Sequence, residues 1–319
     1  MTFTKLSAAA TALAIIGNTA HAAEPIKVTL DWTPNTNFVG LYVADALGLY
    51  DEAGIDIGIA PFAFGQPVGD FAMYGVLDFY AAKAAGHDAV GVFAVIQTET
   101  GRLAYSSDAI ESPRDLANGV YGGFGTNWEK AIIETMIAHD GGEPNYESVT
   151  LDTSVYDALR AGEIDFTLEV LTWQGVENAL AGHAIKSFRY ADYGVPNQHT
   201  IIMAADEAFL EAKTELVQAF ISATRDGYAY AIANPQEAAE MLLAAAPELD
   251  AEVVRASMDV MIEGHYLARE DGTIGRFDDG MMIELGEFLF GAGALVDAEG
   301  ATLAEKPDFS TYYTNRFLD

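Results

Sequence analysis

Apolar side chains fall on alternate positions at Ile26, Val28, Leu30 and Trp32, the period of a half-buried strand. The turn-forming run Asp31-Trp32-Thr33-Pro34-Asn35-Thr36-Asn37 then breaks it. Val39, Tyr42, Val43, Ala46, Leu49 and Tyr50 recur at helical spacing, and Gly54 leads into a second strand over 55–59. Strand, loop, helix and strand in this order predict an α/β chain with a largely parallel sheet and helices on its faces. The pattern continues with an apolar strand over 89–96 and another near 103–106. Ser112-Pro113-Arg114-Asp115 then carries the serine, proline and acid of a helix start.

A new α/β block opens at Val120 and Tyr121. It contains a glycine-rich turn at 122–126, a helix over 127–138, a strand over 148–151, a helix over 155–161 and a strand over 164–168. Residues 200–204 read as a strand returning to the first block. Beyond them Val217, Ile221, Thr224, Tyr228 and Ile232 form one helical stripe, and Asn234-Pro235-Gln236-Glu237 reads as a capping box. Further helices are expected over 251–263 and 279–291, and the tail 308–319 is expected to pack back on a lobe. One lobe is therefore expected from 23–117 with 199–319, and a second, inserted lobe from 118–198. Two chain crossings between lobes make a hinge and a cleft.

Lys5, the apolar stretch 6–16 and Ala20-His21-Ala22 have the form of a secretory signal peptide, residues 1–22, cut after Ala22. The apolar stretch is well short of the roughly 20 residues that span a bilayer. No cysteine follows to carry a lipid, so the expectation is a free periplasmic protein. The chain has no cysteine anywhere, which removes zinc–thiolate sites and cysteine nucleophiles. Its 48 acidic against 16 basic residues give a net charge of −32, a field that repels nucleic acid and anionic lipid. A monomer is the default expectation.

No nucleophile elbow, zinc-protease helix or phosphate-binding loop with its lysine occurs, and the histidines are scattered without ligand spacing. No catalytic residue, metal or cofactor is expected. The turn from Tyr121 through Gly123 and Phe124 to Trp128 lies between a strand and a helix. It reads either as a nest of backbone N–H groups facing a ligand or as a tight connection. Trp32, Trp128 and Trp173 each fall at the carboxyl end of an expected strand or in the turn leaving it, where open α/β sheets bind ligands. Their flat faces suit a flat heteroaromatic molecule, and Asn35, Asn37, Gln174 and Asn197 offer donors and acceptors for its edge.

At these residues the chain resembles the periplasmic thiamine-precursor-binding proteins, a family related in fold to the fungal thiamine-pyrimidine synthase. The resemblance rests on Leu30-Asp31-Trp32-Thr33-Pro34-Asn35-Thr36-Asn37, on Gly40-Leu41-Tyr42-Val43-Ala44, and on Gly48-Leu49-Tyr50 with Ala53-Gly54-Ile55-Asp56. The turn at 122–126, Trp173 with Gly175-Val176-Glu177, and Gly227-Tyr228 with Asn234-Pro235 follow in the expected order. It implies a type II periplasmic-binding fold that delivers a substituted aminopyrimidine to an ABC permease, with stacking from Trp32, Trp173 and Tyr193 and polar reading by Asn37. Phe38, Tyr42, Tyr74 and Glu169 complete the candidate ligand-binding set. Three departures stand out: Phe38 where the family often has histidine, Gln174 where it often has glutamate, and a short stretch over 60–70. A riboflavin-like ring, a sulfonate or nitrate are the other ligands weighed. A pyrimidine-synthase-like enzyme is the rival class, set against export and the missing cysteine-rich motif.

Overall fold

The computed structural model describes residues 23–62 and 69–319. The expected signal peptide, residues 1–22, lies outside the described residues, as does 63–68 of the short stretch. The first block runs β1 (Glu24–Thr29), a 3-10 turn (Thr36–Phe38), α1 (Val39–Ala46), α2 (Leu49–Glu52), β2 (Ile55–Ala60), β3 (Phe71–Gly75), α3 (Val76–Ala84) and β4 (Ala89–Ala94). The chain then enters β5 (Gly101–Tyr105), β6 (Val120–Gly123), α4 (Asn127–His139), β7 (Glu147–Thr150), α5 (Val155–Ala161) and β8 (Phe166–Val170). A single π turn (Leu171–Gly175), α6 (Val176–Leu180) and β9 (Lys186–Arg189) follow. It returns through β10 (Ile201–Asp206) and ends in α7 (Glu207–Ala212), α8 (Thr214–Ala233), α9 (Pro235–Ala245), α10 (Ala251–Glu263) and α11 (Asp279–Gly291).

Two five-stranded sheets result, ordered β2-β1-β3-β10-β4 and β7-β6-β8-β5-β9. In the first, β1 is parallel to β2 and β3, while the returning β10 is antiparallel to β3 and β4. In the second, β6 is parallel to β7 and β8, and β5 is antiparallel to β8 and β9. The strand near 103–106, counted from sequence with the first lobe, is therefore in the second sheet. Its interior place there, between β8 and β9, follows from its burial: Leu103 and Ala104 have no exposed surface and face opposite clusters of the second lobe. The second sheet consequently draws on the chain from 101 rather than from 118.

The core of the first lobe lies between its sheet and α1, α8, α9 and α10. Gly40 on α1 and Gly227 on α8 sit where these helices cross, and a Cβ at either would collide with Tyr228 or with the Gly40 carbonyl. A second cluster on the other sheet face gathers Phe79, Tyr80, Met282, Leu285 and Leu289 under α3 and α11. The tail packs as expected. Phe309, Tyr312 and Phe317 are buried, and Gly91 of the edge strand β4 donates to Tyr312 O at 2.9 Å and accepts from Thr314 N at 2.8 Å. The expected capping box at Asn234 does not form, because one residue separates α8 from α9. The Asn234 side chain instead donates back to the Tyr230 carbonyl at 3.2 Å.

The two crossings lie side by side and are bonded to each other. Thr98 Oγ1 donates to Asn197 Oδ1 at 2.9 Å, Thr100 N donates to Thr200 Oγ1 at 2.8 Å, and Thr200 N donates to the Ile96 carbonyl at 3.3 Å. Glu99 is buried between them and meets Arg102 at 2.9 Å and the Ala191 amide at 3.1 Å. Burial nevertheless holds its carboxyl above the usual range. His199, with no exposed surface, accepts the Asp278 amide through Nε2 at 3.0 Å, which ties the C-terminal segment to the same joint.

Candidate functional site

Trp32 leaves β1 and Phe124 leaves β6, so each stands beyond the carboxyl end of a strand in a different sheet. Their rings meet edge to face with centroids 6.5 Å apart at 85°. The carboxyl edges of the two sheets therefore face one another across the crossings. Phe124 keeps 40% of its surface exposed there. Trp128, on the first turn of α4, makes the neighbouring bridge by donating its indole N–H to Asp78 Oδ1 at 2.8 Å.

Asp78 stands on the first turn of α3, where the helix dipole favours an acid. Burial raises its carboxyl, the Trp128 bond opposes this, and Glu129 adds to the rise. Asp31, one residue before Trp32, is pushed up to about 7 by burial and then by the Asp78 charge, and its own amide and that of Gly75 only partly offset this. Its Oδ1 is buried and has no hydrogen-bond partner among the described residues.

The glycine-rich turn resolves in favour of a tight connection. Glu129, almost fully buried, accepts from the Tyr121 hydroxyl at 2.7 Å, the Phe124 amide at 2.9 Å and the Thr126 amide at 2.7 Å. With Thr126 it completes a capping box at the head of α4. The chain thus fills its own anion seat. A Cβ at Gly123 would strike the Tyr121 ring, so glycine there lets that tyrosine fold back to reach Glu129.

Several sequence-predicted residues are used in building the site's frame. Asn35 caps the 3-10 turn by accepting from Asn37 N at 2.9 Å and donates to the Thr33 carbonyl at 3.0 Å, so both ends of its amide are taken. Phe38 has no exposed surface and lies in the first core, as does Tyr42, whose phenol burial pushes up to about 12. Asn37 is buried, its carbonyl holds the Tyr228 hydroxyl at 2.8 Å, and its Oδ1 receives Thr172 Oγ1 at 3.4 Å. Ser257 on α10 completes this joint between lobes, with its Oγ 2.5 Å from Thr36 Oγ1 and donating to the Thr172 carbonyl.

Trp173 follows on that π turn and is 8% exposed, packed into the first-lobe core rather than presented to the cleft. Gln174 turns its Oε1 back to the Val170 amide at 3.3 Å. Glu169 is buried and bonded to Asn178 at 3.0 Å. Burial raises its carboxyl to about 7 against the pull of Asn178, Arg160 and Arg102. Tyr74 packs with Phe79 under α3, their centroids 5.8 Å apart. Tyr193 packs against Phe188 and against His139, the last residue of α4, whereas Trp128 is on that helix's first turn. At 1.5 Å per residue those ends are roughly 16 Å apart, so Tyr193 is removed from the aromatic corner. The structure thus brings together Trp32, Phe124 and Trp128, and with them Asp31, Asp78 and Glu129, which the sequence reading passed over. The signal for Asp31 was present: an acid placed directly after an apolar strand, at the sheet edge where ligands bind.

Two α/β sheets of these orders, each with one antiparallel strand, joined by two crossings and facing through their carboxyl edges, define the type II periplasmic-binding-protein fold. Solved structures agree on this architecture. The aliphatic sulphonate binding protein SsuA of Escherichia coli superposes with a TM-score of 0.67 over 91% of each chain at 15% identity, a likeness of fold alone. A Candida albicans protein described as having the generic periplasmic binding protein fold gives 0.60 over 91% of this chain and 96% of its own at 16% identity. Within that fold the chain belongs to the NMT1/THI5 like family, whose model matches residues 35–238. It is 29% identical over 263 residues to the formylaminopyrimidine-binding protein of Halalkalibacterium halodurans, covering 76% of this chain and 78% of that one. It is also 30% identical over 240 residues to the 4-amino-5-hydroxymethyl-2-methylpyrimidine phosphate synthase of Legionella pneumophila, covering 70% and 74%.

Proposed function

We propose that this chain is a solute-binding protein of an ABC importer. It is exported to the periplasm by residues 1–22, and it captures a thiamine-type aminopyrimidine between its lobes for a membrane permease. The observation that carries the reading is the corner formed by Trp32, Phe124, Asp31 and Asp78. It has aromatic faces for a flat ring and carboxylates for its amino edge, at the sheet edges where such folds hold ligands. The formylaminopyrimidine-binding relative supports the same ligand class. Binding rather than catalysis fits a chain without a cysteine, which lacks the cysteine-rich motif of the rival synthase reading. No helix among the described residues is long and apolar enough to cross a membrane.

A thermal-shift screen of the mature chain tests this. Hydroxymethyl- or formylamino-pyrimidine at about 100 times its dissociation constant should add roughly 2.7 kcal/mol of stability. Stabilisation by taurine or nitrate with no response to any heterocycle would overturn it. Because the Legionella relative is named a pyrimidine phosphate synthase, the same preparation should be assayed for formation of that pyrimidine phosphate, with none expected.

A further inference from the structure

We infer that Asp31 and Asp78 form the specificity-determining pair of the cleft, reading the ligand through its N–H donors and admitting an uncharged or protonated amino-heterocycle while rejecting its phosphate ester. This rests on the binding reading above and names which molecules of that class are accepted.

Three observations converge on it. Asp31 Oδ1 is buried beside Trp32 with no hydrogen-bond partner among the described residues. A buried oxygen left without a donor is costly, and an arriving N–H group relieves that cost. Asp78, close enough to raise the Asp31 carboxyl, is held from the opposite lobe by the Trp128 indole N–H at 2.8 Å. Asp31 adjoins Trp32 in the chain and Trp128 closely follows Phe124, so the ring contact and the Trp128–Asp78 bond lie at one junction between the two sheets. The charges acting on the pair are themselves acidic, Asp78 on Asp31 and Glu129 on Asp78. Arginines of the second lobe are committed elsewhere, Arg102 to Glu99 at 2.9 Å and Arg160 to Asp157 at 2.9 Å.

An anionic ligand finds the opposite of what it needs. The backbone donors at the head of α4, the natural place for a phosphate in such a fold, are already filled by the Glu129 carboxylate. A phosphate would have to displace that side chain and then lie against Asp31 and Asp78. An amino-heterocycle needs no displacement. Its exocyclic NH2 and a protonated ring nitrogen are donors, matched to oxygens that only accept once ionised.

The test is titration calorimetry on the full mature chain with three probes: 4-amino-5-hydroxymethyl-2-methylpyrimidine, its analogue with hydrogen in place of the amino group, and its phosphate ester. The amino compound should bind at least about tenfold more tightly than either of the others, the range expected for one hydrogen bond to a charged group. Asp31→Asn should bring the amino and des-amino affinities to within a fewfold of each other, and Asp78→Asn should act in the same direction. Urea midpoints establish that each variant is folded, and the probe series on the unmodified chain stands whether or not a variant folds. If all three probes bind the unmodified chain equally, or if Asp31→Asn leaves the preference intact, the pair is not the reader, although the chain remains a pyrimidine binder. If no pyrimidine binds while an anion does, the underlying reading falls and this inference with it.

Discussion

His199 offers a sharp test of how the joint between the lobes is held. It is fully buried, and its Nδ1 makes no well-formed hydrogen bond. Burial, with a smaller push from Arg269, lowers its pKa from 6.5 to about 4, against the weaker opposing effects of Asp278 and of the Ile96 and Gln97 carbonyls. Between those values the unfolded chain binds a proton that the folded chain does not. Stability therefore rises with pH across the window and is lost as pH falls from 6.5 towards 4. At 1.36 kcal/mol per pH unit, this single ring accounts for about 3 kcal/mol. His199→Gln keeps an acceptor for the Asp278 amide and removes the titration. Urea unfolding of both proteins at fixed ionic strength between pH 4 and 8 should show wild type losing about 3 kcal/mol relative to the variant on acidification, with the change confined to pH 4–6.5. The comparison has to be a difference, because Asp31 and Glu169 slope the other way over much of the same range. Parallel curves for wild type and variant would refute the account of a neutral, buried histidine in the joint.

Asp31→Asn should show the mirror image. The folded chain holds a proton on Asp31 up to about pH 7 that the unfolded chain releases near 3.8, so the variant should gain on wild type as pH rises from 4 to 8, by up to about 4 kcal/mol in urea titrations. Trp173→Ala should cost about 3–5 kcal/mol of stability in the same assay, since the indole fills the first core; a loss of ligand affinity with stability unchanged would return it to the cleft wall. Trp32→Ala should weaken pyrimidine binding by about 1–3 kcal/mol, the worth of one ring-on-ring stack, with a normal unfolding midpoint. Gly227→Ala should destabilise by about 1–3 kcal/mol, because its methyl meets the Gly40 carbonyl; a neutral result in thermal melts would mean that α1 and α8 can part.

Much of the fold was legible where caps mark the ends of helices. Thr126 and Glu129 open α4, Asp250 opens α10 and Asp278 opens α11, and each of these helices lies within a residue of its sequence-based expectation. β3 and α3 are not legible in the sequence because Gly75 passes straight into Val76, with no turn residues between strand and helix to punctuate them. The first crossing was misplaced for a related reason. Thr98-Glu99-Thr100 carries no glycine or proline, and its polar side chains are spent on the second crossing rather than on solvent. At the candidate corner, the meeting of Trp32 and Phe124 follows from their places at strand ends. Asn35 was not, because an amide that caps its own turn has the same one-dimensional signature as one offered to a ligand.

The segment bracketing Gly91 with Tyr312 and Thr314 closes the exposed edge of β4 from far downstream in the chain. The first sheet therefore takes strands from the beginning of the chain, waits through the whole inserted lobe for β10, and is sealed only when residue 314 arrives. Closing that sheet therefore needs pairings between segments far apart in the chain, the kind of contact that slows folding.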